Sequence, residues 1–186
     1  MTRAARPAGA RRPARLGRRG TFWSAAAVLA LCLWASGAPS VLYPEYAAAW
    51  QLPPVVVTSV FGAYPLALLL VLLLFGGLSD SIGRRRAMLL GIALIAVAAL
   101  VFAAAPNVGW LFAGRVLQGI GTGFALGAAS AALVESNTST NPRVASTLTT
   151  ASTATGLTLA LVVSGLLAQY APLPLVLSFL VLFVLA

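Results

Sequence analysis

The sequence contains no histidine, no lysine, one cysteine and only three acidic residues among its 186 positions. Without histidine there can be no His-based triad, no ordinary zinc hydrolase site and no intramembrane metalloprotease chemistry. Cys32 stands alone inside an apolar run, so an intrachain disulfide and a cysteine metal cluster are both excluded. No glycine-rich phosphate-binding loop is present, which removes ATP as a direct energy source. The chain is therefore expected to be no enzyme and to need neither metal nor cofactor. Charged residues make up 8% of the chain and hydrophobic ones 60%, against about 25% and about 45 to 50% in an average soluble domain. A water-soluble core is excluded.

What remains is a succession of apolar runs. Six membrane helices of about 20 residues would occupy about 120 positions and leave about 66 for a tail and short connections. The first run extends from Phe22 to about Leu42, broken late by Gly37, Ala38 and Pro39, with residues 46–53 as the outer loop. Pro54 to Phe75 form the second span, where Pro65 predicts a kink because its ring removes a helix hydrogen bond. Span three runs from Ala87 to about Ala104, span four from about Gly109 to Val134 and span five from about Ala145 to Ala168. A sixth begins near Leu173 and is expected to be incomplete at Ala186, so a longer protein is expected.

All twelve basic residues are arginines, and Arg3, Arg6, Arg11, Arg12, Arg15, Arg18 and Arg19 crowd the first twenty positions. Residues 1–21 are read as a disordered basic tail attracted to anionic lipid heads. Nucleic-acid binding is not expected, because no folded basic face with stacking aromatics accompanies the tail. Further spans follow the first, which favours a retained helix over a cleaved export signal. Arg84, Arg85, Arg86 and Arg143 fall in connections on the same side as the tail, and the opposite connections have no arginine. By the excess of arginine the N-terminus is expected in the cytoplasm. Asn137, Thr138 and Ser139 match a glycosylation acceptor but lie on that side, and are read as a polar turn.

The densest polar cluster follows span two. Asp80 to Gly83 fit a type I turn, with Asp at its first position and Gly at its fourth. Asp80 follows the negative end of one helix and Arg84 to Arg86 precede the positive end of the next, so these charges oppose their local dipoles. Topology accounts for the arginines, and the acid is expected to have a partner elsewhere. The run Gly76, Gly77, Leu78, Ser79, Asp80, Ser81, Ile82, Gly83, Arg84, Arg85 resembles the signature G-x-L-x-D-R-x-G-R-K/R between spans two and three of the major facilitator superfamily. Ser81 replaces the usual Arg. The resemblance implies that Gly76, Asp80, Gly83, Arg84 and Arg85 belong to a cytoplasmic gate engaging the second half of the transporter.

Arg115 lies about six residues inside span four, roughly 9 Å below the outer boundary. A cation at that depth costs about 2.5 kcal/mol or more unless it faces a partner or a wet cavity. Gly119, Gly123 and Gly127 follow at intervals of four, leaving a helix face open to close packing. Arg115, Gln118, Gly119 and Gly121 resemble the family's R-x-x-Q-G-x-G, associated with proton-coupled members; the resemblance implies that Arg115 tunes the protonation of a nearby acid, although none is evident within the spans of this sequence. Span five opens with Ser146, Thr147, Thr149, Thr150, Ser152, Thr153, Thr155 and Thr158, hydroxyls that either bond back to their own helix or line a cavity. Farther along, Gly156, Ala160, Ser164 and Gly165 resemble the g-x-x-x-G-P-x-x-G-G antiporter motif of the drug-efflux members, with Leu161 in place of its proline.

The expected fold is thus all-α: a polytopic membrane protein whose residues 22–186 form the N-terminal six-helix bundle of a major facilitator, as two inverted three-helix repeats, its C-terminal half absent. The resemblance implies secondary active transport of a small solute, drug or metabolite, by proton-coupled efflux through alternating access in the plasma or inner membrane. Uptake or facilitated passage of a sugar or metabolite is the alternative within transport, and a non-transporting membrane scaffold the alternative outside it. Expected partners are the small-molecule substrate, protons, the lipid bilayer and the C-terminal half.

Overall fold

The computed structural model describes residues 17–77, 81–139, 141 and 143–186. Its elements are helices: α1 (Arg18–Trp50), α2 (Pro54–Phe75), α3 (Arg84–Ala103), α4 (Val108–Glu135), α5 (Arg143–Tyr170) and α6 (Pro174–Leu185). The first five are long and apolar enough to cross a membrane, and the apolar segment of α6 is shorter.

Helix α1 differs most from expectation. It starts at Arg18, inside the expected tail, and continues through Gly37, Pro39 and Pro44 to Trp50 rather than ending near Leu42. Residues 46–50, expected as loop, are its last turn. A proline inside a helix loses one hydrogen bond and crowds the preceding turn. In a bundle, packing and neighbouring polar groups compensate for that loss. The helix stops at Gln51, whose φ of 49° is left-handed, while the Leu52 amide bonds back to the Ala47 carbonyl at 3.1 Å. This reverse-turn ending satisfies carbonyls that would otherwise be orphaned. Pro53 precedes α2, which begins with Pro54 at its first helical position, where a missing amide is least costly.

The other ends are equally local in origin. Asn107 caps α4 by accepting the Gly109 amide at 3.0 Å. Gly83 enters α3 with φ of 90°, a conformation that favours glycine over any residue with a Cβ.

The arrangement repeats after three helices. Just over half of the most apolar window is buried in α1 and in α4 (56% each), against 17% in α2 and 22% in α5. So the first helix of each triplet is central and the second peripheral. Each central helix packs mainly across the triplets, α1 on α5 and α4 on α2, and α3 packs on both α4 and α6. This reciprocity is the architecture of two related three-helix units sharing one core, although no sequence repeat announces it.

Close approach at these seams depends on absent side chains. A Cβ on Gly121 would stand 2.7 Å from the Gly91 carbonyl oxygen, and one on Gly91 would stand 2.5 Å from the Gly121 oxygen, so α3 and α4 meet backbone to backbone. Between lipid-soluble helices, which gain no hydrophobic energy by associating, such contact is a main source of attraction.

Candidate functional site: a buried arginine between α1 and α4

Arg115 is 1% exposed and Gln118 is fully buried. One helical turn apart, the two side chains share a face of α4, and Arg115 Nη1 donates to Gln118 Oε1 at 2.8 Å. Across the seam, α1 supplies the remaining acceptors. Arg115 Nε donates to the Tyr43 hydroxyl, Nη1 to the Ser36 carbonyl at 3.3 Å and Nη2 to Ser40 Oγ at 3.4 Å. The Gln118 amide donates to the Ala35 carbonyl.

That last bond has a cause in the sequence. An α-helical carbonyl is normally taken by the amide four residues on. For Ala35 that residue is Pro39, which has no amide hydrogen. The proline expected to break span one instead leaves an acceptor open inside the helix, and Gln118 occupies it.

Aromatic faces complete the enclosure. The guanidinium carbon lies 5.0 Å from the ring centre of Tyr43, 5.7 Å from Tyr64, 5.9 Å from Phe61 and 5.9 Å from Phe102. Three helices besides α4 thus present π-faces to the cation, an attraction of about 2 kcal/mol or more where water is excluded. The surrounding groups are neutral, and among the described residues no carboxylate hydrogen-bonds to Arg115. The nearby acid expected from the resemblance is not among them, so the charge is stabilised by oxygen dipoles and rings.

The glycines beside this pair serve separate neighbours. A Cβ at Gly119 would meet the Tyr64 carbonyl oxygen of α2 at 2.5 Å, and one at Gly123 would meet Val71 at 2.7 Å. Gly121 faces α3. Gly127, on the same row as Gly119 and Gly123, has only a side-chain carbon of Leu72 at 3.8 Å and is not a point of close approach.

On α5, Gly156, Ala160 and Ser164 are buried along one face. A Cβ on Gly156 would collide with the Ala30 carbonyl of α1, and Gly37 of α1 sits against Leu157 and Ala160. Gly165 is off this line, with nothing within 4 Å of a Cβ there. Of the α5 hydroxyls, Ser146, Thr149, Thr150 and Thr153 donate to carbonyls three or four residues back, at 2.9, 2.9, 3.2 and 2.9 Å.

At the arginine-rich end, Asp80 lies outside the described residues. Gly76 ends α2 with its own Cβ position 2.5 Å from the Leu72 carbonyl, and Arg85 is exposed. Arg84 Nη2 pairs with Glu135 Oε1 at 2.9 Å. Each partner is misplaced on its own helix, a cation at the positive start of α3 and an anion at the negative end of α4, and each offsets the other's error. Arg18 adds hydrogen bonds to the carbonyls of Glu135 and Asn137 at 3.3 and 3.4 Å, so a cation also covers the end of α4.

Sequence reasoning found Arg115 and Gln118 but missed Ser36, Ser40, Tyr43, Tyr64 and Glu135 as partners. The signal for Glu135 was present: it is one of three acids, at a helix end on the side of the arginine cluster. Among the described residues no three His, Cys, Asp or Glu side chains gather where they could hold a metal.

Helices of this length and apolarity, sharing a core with a buried cation, define a multi-pass membrane protein. The chain belongs to the Major Facilitator Superfamily, whose family model matches residues 22–186. The family consists of transporters rather than enzymes. The chain is also similar to the puromycin resistance protein pur8 of Streptomyces alboniger, 46% identical over 79 residues. That match covers 42% of this chain and 15% of the relative.

Proposed function

We propose that the chain forms the N-terminal half of a proton-coupled exporter of a small drug or metabolite, working by alternating access in the plasma or inner membrane with its N-terminus in the cytoplasm. A second six-helix half completes the pathway, and the two rock about a site near the midplane. The observation that carries this reading is Arg115, a buried cation held, among the described residues, without a carboxylate. Burial of that charge opposes insertion by about 2.5 to 3.5 kcal/mol, a cost that plain helix packing does not require. Its positive potential acts on whatever titratable group or charged substrate enters the centre. Efflux takes support from the resistance protein to which the chain is similar. At the arginine-rich end, Asp80 with Arg84 and Arg85 would hold the closed gate, and Gly156, Ala160 and Ser164 would keep α5 tight on α1.

The test is substrate flux per folded molecule in vesicles, with and without an imposed pH difference, on the intact transporter. Arg115→Ala should abolish the dependence on the gradient, and Arg115→Lys should retain part of it, since charge survives while the planar fork is lost. Wild-type gradient dependence in Arg115→Ala refutes the coupling role. A second reading, uptake or facilitated passage of a sugar or metabolite, is favoured by Leu161, which leaves α5 without the proline of the export motif.

A further inference from the structure

At the arginine-rich end a groove of about 350 Å³ opens between the N-terminal turns of α1 and of α5. Its α1 wall is Phe22 and Trp23, and its α5 wall includes Arg143, Val144, Thr147 and Leu148. Polar and apolar groups share the lining. Arg143 and Thr147 lie one turn apart on α5, and Leu148 packs in the same apolar cluster as Phe22, with Ala151 one turn farther along α5. Trp23 is 64% exposed, packed edge to face on Phe22 at 5.9 Å. A tryptophan so placed at the end of a spanning helix suits the headgroup level of a bilayer.

The electrostatics are one-sided. Arg143 is exposed, and among the described residues nothing pairs with its guanidinium; its bonds are made by the backbone, the amide donating to Asn141 Oδ1 at 2.9 Å and the carbonyl accepting from Ser146 Oγ at 2.9 Å. Arg18 gives its hydrogen bonds to neutral carbonyls and so keeps its charge, with Arg19 beside it. The described carboxylate at this end, Glu135, is engaged by Arg84. Among the described residues, then, the groove presents a cation with no ion-pair partner beside apolar side chains.

We propose that this groove binds one anionic phospholipid, its phosphate on Arg143 and the Thr147 hydroxyl and one acyl chain running inward along Phe22, Val144, Leu148 and Ala151. Basic pockets between spanning helices suit such headgroups, and a zwitterionic lipid gains less because its own ammonium opposes the arginines. The lipid would bridge α1 and α5 at the arginine-rich end. The proposal requires only that the helices span a bilayer, so a failure of proton coupling leaves it intact.

The test is native mass spectrometry of the intact transporter titrated with phosphatidylglycerol or phosphatidylcholine. Phosphatidylglycerol should be retained preferentially, and Arg143→Gln should weaken its apparent affinity about fivefold while leaving phosphatidylcholine unchanged. A photocrosslinking residue at Val144 should yield a lipid adduct. Absence of any preference for the anionic lipid, a preference that persists undiminished in Arg143→Gln, or crosslinks from Val144 solely to protein would each overturn the proposal.

Discussion

The bonds around Arg115 predict a large interaction energy between Arg115 and Tyr43, measurable in a double-mutant cycle. Arg115→Met alone is a poor probe. It relieves about 2.5 to 3.5 kcal/mol of charge burial, but it forfeits about 2 kcal/mol of attraction to the rings. It also strands the Tyr43 hydroxyl and the Gln118 oxygen, roughly 1 to 3 kcal/mol each. The losses, about 4 to 8 kcal/mol together, exceed the relief, so the variant is destabilised by roughly 0.5 to 5.5 kcal/mol, a range too broad to isolate one bond. The cycle isolates the bond. With Arg115 present, Tyr43→Phe keeps the ring face toward the cation but leaves a buried N–H without its acceptor, a loss of about 1.5 to 3 kcal/mol. In the Arg115→Met background, the same change removes an orphaned hydroxyl and is neutral or stabilising. The expected coupling is therefore about 1.5 kcal/mol or more. The assay is reversible unfolding of the four proteins in mixed micelles, with each variant's helix content checked in the folded state. Additivity within about 0.5 kcal/mol would mean that the hydroxyl and guanidinium do not act together, and the account of the clasp would fail.

Three further outcomes rest on the packing and the charges. Gly156→Ala should destabilise by about 1 to 3 kcal/mol, because its Cβ meets the Ala30 backbone, which cannot rotate away; Gly165→Ala, with open space, should be neutral or stabilising in the same unfolding assay. A cycle on Arg84→Gln and Glu135→Gln should give only about 0.2 to 1 kcal/mol, since the pair is 28% and 58% exposed, and the value should shrink in high salt; a larger, salt-insensitive coupling would contradict that exposure. Cysteines at Thr138 and Gln51, both exposed at opposite ends of the bundle, should react with impermeant thiol reagents from the cytoplasm and from outside respectively, and labelling of Thr138 in intact cells would invert the topology.

Where the sequence was readable, the reason was that a single helix carries the signal. The bounds of α2 and the depth of Arg115 depend on hydrophobic length and on the cost of a charge in lipid, both local. Pairings between helices were not readable in the same way. Arg84 is misplaced beside its own dipole by sequence alone, but that Glu135 offsets it depends on α3 and α4 lying side by side. Gly165 sits one residue past Ser164, about 100° around the helix, so agreement with a sequence motif did not place it on the face that Gly156, Ala160 and Ser164 share.

Pro39 shows why the site itself was only half legible. Read along α1, it is a breaker, and ending the span there follows from the lost amide and the steric clash. Within the bundle the same lost amide becomes useful: it leaves the Ala35 carbonyl free at the depth where α4 presents Gln118, one turn beyond Arg115. Gln118 then commits its amide to α1 and its oxygen to the guanidinium, which orients the cation toward Tyr43 and Ser40. A proline three helices earlier in the chain is thus part of the arginine's environment. Replacing Pro39 with alanine would restore the α1 hydrogen bond and make the Ala35 oxygen a shared acceptor, weakening the grip on Gln118 while strengthening the helix. The defect in α1 and the burial of a cation in α4 are joined through Gln118, which takes the acceptor the one leaves open and gives its own oxygen to the other.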